Sequence, residues 1–254
     1  MGIFNKIFQF NKEQMNESNE KRKNIRFKPS SAFPLTISIQ ANSSKFKKCP
    51  IVDISVDGLR LKTPKQTSLS QNEVIQIKVL LETHEFELEG RIAHTTDEDT
   101  GIELNLKEFS ALDNYFQAIS PIVIGKSLKQ FPSDRINQND PNKIKSIFFG
   151  TNQSALTIWN PIDKPAASEI EAWEFTFENI SIRGEKSGKS VKYFHGTDDS
   201  DSAKKRVRSQ TLNESQSQDK NQQTEKFFRW LLLNLDDDFP SDISNYIRSY
   251  FAQN

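Results

Sequence analysis

Between Leu35 and Leu106 several short runs carry apolar residues at every second position. Leu35, Ile37 and Ile39 alternate, and so do Ile75, Ile77, Val79 and Leu81. Phe86 and Leu88 continue the pattern, as do Ile102, Leu104 and Leu106. Successive side chains of a strand point to opposite faces, so this period predicts strands with one buried and one wet face. Turn-forming clusters at Ala41–Ser44 and Thr96–Thr100 separate the runs. From Lys107 to Ile119 the spacing becomes helical, with Phe109, Leu112, Phe116 and Ile119 on one stripe. The expectation is a six-stranded antiparallel barrel closed by one helix.

Past Pro121 strand character returns at 144–149, 155–159, 172–182 and 191–194, which predicts a second, smaller β domain over 125–195. Residues 196–224 carry only Ala203, Val207 and Leu212 as aliphatic side chains. So polar a stretch buries too little surface to offset its ordering entropy, and reads as a disordered linker. Phe227, Phe228, Leu231, Leu232 and Leu235 then share one helical face. A further helix is expected after Pro240, using Ile243, Tyr246, Ile247 and Tyr250, so that 225–254 forms a C-terminal helical segment. At the other end, residues 1–20 are polar apart from Ile3, Phe4, Ile7, Phe8 and Phe10, and read as a flexible segment.

Composition narrows the class. Lys plus Arg and Asp plus Glu both number 34, so the formal net charge is zero, which argues against a nucleic-acid polymer as partner. The single cysteine, Cys49, excludes an intramolecular disulfide and a cysteine-based zinc site. His84, His94 and His195 have no ligand-like spacing, so neither a metal nor a cofactor is expected. No apolar run approaches the ~20 residues of a membrane span, and the start lacks a signal-peptide core. The expected location is the cytoplasm. Gly184–Ser190 is one residue short of a phosphate-binding loop and precedes a strand where a helix is needed. With no nucleophile elbow and no helical H-E-x-x-H, no catalysis is expected.

Two short motifs carry the chemistry. Arg22 and Arg26 form R-x-x-x-R within 21–28, where Lys21, Lys23 and Lys28 add to the basic character. Asp53, Ser55 and Gly58 form D-x-S-x-x-G. Arginine forks suit phosphate and the O6/N7 edge of guanine. Asp53 and Ser55, two apart on a strand, are expected on one face, where a carboxylate accepts from guanine N–H groups and a hydroxyl adds a further bond. Gly58 marks a tight bend or bulge beside them.

The motifs, the 26-residue gap between Arg26 and Asp53, the later Gly90–Ile92 and Thr100–Leu104 strands and the closing helix together resemble the PilZ domain family, the bacterial receptors for cyclic di-GMP. The resemblance covers about 21–120. It implies that Arg22 and Arg26 hold guanine and phosphate and that Asp53, Ser55 and Gly58 form the floor of the pocket. Lys21 stands where many family members that bind a stacked ligand pair have arginine. The implied function is a cyclic di-GMP-binding regulator of motility, adhesion or matrix production, working through ligand-induced ordering of the basic arm and a protein partner in a motility or envelope system. The alternative is a PilZ-like adaptor that acts through protein contacts without nucleotide. Asn179, Ser181 and Gly184 repeat the second motif as N-x-S-x-x-G without an arginine arm. They are weaker candidates, and leave open whether 125–195 is a degenerate second PilZ-like unit or simply a strand ending in a glycine turn.

Overall fold

The computed structural model describes residues 24–41, 45–65, 68–163, 166, 169–187, 190–196 and 212–252. The chain divides into two units, Met1–Val123 and Ile124–Asn254.

Among the described residues the first unit holds seven strands and most of a helix: β1 (Leu35–Gln40), β2 (Lys47–Cys49), β3 (Ile51–Ile54), β4 (Gly58–Lys62), β5 (Val74–Leu81), β6 (His84–Thr95), β7 (Asp99–Asn105) and α1 (Phe109–Ser127). All pairings are antiparallel, in the order β2-β1-β5-β6-β7-β4-β3. β2 and β3 therefore lie on opposite edges of the sheet, yet only Pro50 separates them in the chain. A sheet whose two edges are joined by one residue must curl round on itself. Alternation predicts six strands, and the seventh arises because Pro50, which lacks an N–H, breaks 47–54 into two. Its carbonyl still accepts from the Lys62 amide at 2.8 Å. The residues picked out by alternation face inward: Ile37, Ile39, Ile75, Ile77, Val79, Leu81, Leu88, Ile102 and Leu104 are buried with Ile54, Leu59 and Leu61. Cys49 is buried as well, and desolvation pushes its thiol pKa upward.

Helix α1 departs from the expected stripe. Tyr115, Ala118, Ile119 and Ile122 are buried, while Leu112 and Phe116 are only half-buried. The buried face is rotated because the Tyr115 hydroxyl finds a carbonyl partner inside, which lets an amphipathic ring replace Phe116 as the deepest residue. The helix also runs on through Pro121 to Ser127 instead of stopping at Ile119. Among the described residues no helix is long and apolar enough to cross a membrane.

The second unit is an antiparallel meander of β8 (Lys129–Gln130), β9 (Lys143–Phe149), β10 (Ala155–Pro161), β11 (Ala172–Phe177), β12 (Ile180–Glu185), β13 (Ser190–Gly196) and β14 (Leu212–Glu214), in chain order across the sheet. Helices α2 (Gln218–Leu233) and α3 (Ser241–Ser249) share one core with it. Phe148, Leu156, Ile158, Trp173, Phe175 and Ile182 supply the sheet side; Phe228, Leu231, Leu232 and Ile247 supply the helical side. Trp173 stacks on Phe228 with ring centroids 5.3 Å apart.

Three expectations change here. The helical segment is part of the second unit's core, so that unit is as large as the first. Its consecutive strand order differs from that of the first sheet. Within 196–224, residues 212–214 pair with β13 and α2 begins at Gln218, where composition predicts a linker. Backbone pairing needs no apolar side chains, and Ser217 caps the helix by accepting from the Lys220 amide, so a polar sequence is ordered by its neighbours. Residues 197–211 of that stretch lie outside the described residues.

Candidate ligand-binding site

The chain at Phe27 lies against the end of β3 through a bridge. The Phe27 amide donates to the Ile54 carbonyl at 2.7 Å and the Ile54 amide returns to Phe27 at 2.8 Å. This sets Arg26 beside Asp53. Arg26 Nη1 lies 2.8 Å from Asp53 Oδ1. From the other side, Arg60 donates to Oδ2 through Nε at 2.7 Å and Nη2 at 2.6 Å. The β3–β4 register places Asp53 directly opposite Arg60. A carboxylate only 7 % exposed needs such pairing, because an isolated buried charge is strongly unfavourable.

The turn that follows is fastened from several directions. The Ser55 hydroxyl donates to Asp57 Oδ1 at 2.8 Å and lies 3.2 Å from the Gly58 carbonyl, to which the Ser55 amide also donates at 2.9 Å. Asn24 donates its side-chain amide to Asp57 Oδ2 at 2.6 Å, and Leu104 donates its backbone N–H to the Asp57 carbonyl at 2.9 Å. Beneath it, the Tyr115 hydroxyl donates to the Ser55 carbonyl at 2.7 Å. Burial, reinforced by the Asp57 charge, pushes that phenol well above its ordinary pKa, so it stays a donor. Gly58 is required by space, since a Cβ there would sit 2.7 Å from the Ile102 carbonyl oxygen.

The structure brings Arg26 and Asp53 together and sets Ser55 and Gly58 next to them. Arg22 and Lys21 lie outside the described residues. The expected shared strand face of Asp53 and Ser55 is corrected. β3 ends at Ile54 after a register irregularity between Ile51 and Asp53, and Ser55, 1 % exposed, opens the turn with its hydroxyl turned to Asp57. Four further residues build the site that neither motif specifies: Asn24, Asp57, Arg60 and Tyr115. Arg60 was the one with a signal, because a hairpin turning at 55–57 sets it across from Asp53.

The second motif has a structural explanation at each position. Asn179 is in the two-residue turn joining Phe177 to Ile180. The buried Ser181 hydroxyl donates to Glu174 Oε1 at 2.7 Å. Gly184 makes room for the indole of Trp173, which a Cβ would penetrate. Asn179 also lines a cavity of about 320 Å³ with His195, Lys220 and Phe227. Among the described residues no three His, Cys, Asp or Glu side chains gather as a metal site.

Comparison with known proteins finds a family model that matches within the first unit. The PilZ domain model matches residues 20–117. Among solved structures, the chain is similar to the Borreliella burgdorferi PlzA protein in complex with c-di-GMP, at 12 % identity over 98 % of this chain and all of that one, with a TM-score of 0.30. An uncharacterised Legionella protein is similar at 14 % identity over 38 % of this chain and 90 % of its own, with a TM-score of 0.28. No curated protein sequence matches.

Proposed function

We propose that residues 20–117, which the PilZ domain model matches, form a cyclic di-GMP receptor domain whose ligand is held by Arg22, Arg26, Asp53, Ser55 and Gly58. The observation that carries this reading is the Asp53 carboxylate set between the guanidinium groups of Arg26 and Arg60. Guanine offers acceptors at O6 and N7 and donors at N1–H and N2–H. A guanidinium fork matches the first pair and a carboxylate the second, while phosphate takes further arginine donors. Ser55 and Gly58 shape the turn beneath the base, and the basic stretch from Lys21 supplies the charge that a dianion needs.

Binding then exchanges partners at Arg26. The described part of the arm, from Asn24, is already bridged to β3, so the change at Arg26 is from Asp53 to the ligand, and not a first docking of that segment. The ligand fastens the rest of the arm over the site and alters the surface offered to a protein partner, in a cytoplasmic regulator of motility, adhesion or matrix production. Charge-assisted bonds to phosphate and guanine offset the entropy of that ordering.

Calorimetry with cyclic di-GMP, with GTP as the control, tests the reading. Wild type is expected to bind, and Arg22→Ala or Arg26→Ala to weaken binding by at least about tenfold, the equivalent of losing one charge-assisted contact. Absence of binding by wild type, or full affinity in both variants, overturns it. The Arg26–Asp53 pair, which satisfies Arg26 without ligand, favours a second reading as a nucleotide-independent adaptor. That reading predicts no heat with cyclic di-GMP.

A further inference from the structure

The two arginines on Asp53 are not equivalent. Arg60 belongs to β4, in ladder register with Asp53 on β3 and with Gly101 on β7, so its backbone is fixed on both sides. It commits two nitrogens, Nε and Nη2, to one oxygen, Oδ2. Arg26 comes from a segment tied to β3 by the isolated Phe27–Ile54 bridge, and reaches Oδ1 through Nη1 alone. Asp99 Oδ2, 3.9 Å from Arg60 Nη1, adds a second acid on the Arg60 side.

We infer that Arg60 is the standing partner of Asp53: a positioning residue that holds Oδ2 and so aims Oδ1 at the 2-amino N–H of guanine when Arg26 leaves for the ligand. The inference rests on the receptor reading for the identity of the ligand, and on the ion-pair geometry alone for the division of labour. Without Arg60, Arg26 is the only cation left on Asp53 among the described residues. The carboxylate and the ligand then compete for the same guanidinium, and Oδ1 loses its fixed direction. Arg60 thereby sets discrimination for a base that carries the exocyclic 2-amino donor on its Watson–Crick edge, and does so without touching the ligand.

Two measurements test this. The first is affinity for cyclic di-GMP against cyclic di-inosine monophosphate, which lacks the exocyclic 2-amino donor. Wild type is expected to favour the guanine ligand by about tenfold, Arg60→Ala to reduce that ratio to about twofold, and Arg60→Lys to restore part of it. Equal losses for both ligands, with the ratio kept, would show a merely structural role and overturn the assignment. The second needs no ligand. Double-mutant cycles in denaturant unfolding of the full chain are expected to give a coupling factor of about tenfold for Asp53 with Arg60 and about threefold for Asp53 with Arg26. Equal or reversed couplings overturn the division of labour. If wild type binds neither dinucleotide, the receptor reading falls and the specificity role with it, while the cycles still decide which arginine holds Asp53.

Discussion

Tyr115 shows how much a single side chain contributes to the site without belonging to either motif. Its hydroxyl satisfies the buried Ser55 carbonyl from α1, 60 residues away in sequence. Tyr115→Phe keeps the ring and strands that carbonyl, so a loss of about 1–3 kcal/mol is expected in denaturant unfolding. Gly58→Ala acts on the same turn by a different route. The added methyl meets the Ile102 carbonyl, a backbone atom that cannot rotate away, so about 1–3 kcal/mol of destabilisation should be read in the same assay. An unchanged midpoint in either variant would contradict the geometry. At this scale Asp53, Ser55 and Gly58 were legible because their types and spacing form a pattern. Tyr115 was not, because a tyrosine in an amphipathic helix looks like any half-polar packing residue until its partner is known.

At the scale of elements, polar sequence and order part company in the second unit. The Ser215 amide donates to the Tyr193 carbonyl at 2.8 Å, Thr224 is buried in α2, and Tyr193 donates its hydroxyl to Glu225. Amide hydrogen exchange should therefore show protection at Ser215 and through 222–224, and rapid exchange there would overturn the assignment of β14 and α2. The connection after α2 offers a pH test. Asp236 accepts from Lys129 of β8, and that bond holds its pKa below the ordinary 3.8. A carboxyl whose pKa is lowered by folding stabilises the fold above its unfolded pKa, and that contribution is lost as pH falls through the folded value. Acid unfolding should therefore begin at higher pH in Lys129→Ala than in wild type, as followed by circular dichroism. Identical acid limbs would show that the pair contributes nothing. Alternation located most strands because burial on one face imposes a period of two, whereas β14 is held by backbone bonds that leave no trace in side-chain type.

For the whole molecule, the second unit depends on its helices. Phe228, Leu231, Leu232 and Ile247 close the core over Trp173 and Phe175. Phe228→Ala should cost about 3–5 kcal/mol, read as a lowered midpoint of the tryptophan fluorescence transition, since Phe228 stacks on Trp173. The sequence by itself determined a β-rich chain, the run of strands before the first helix, and two motifs at a fixed spacing, because hydrophobic period and residue spacing are local properties. Only the tertiary structure decided that Pro50 carries the chain from one edge of a curled sheet to the other, that α2 and α3 belong to the second sheet's core, and that Arg26 meets Asp53. Each of these depends on which distant segments pair. That choice is made by burial and hydrogen bonding across the fold, and no short window of sequence contains both partners.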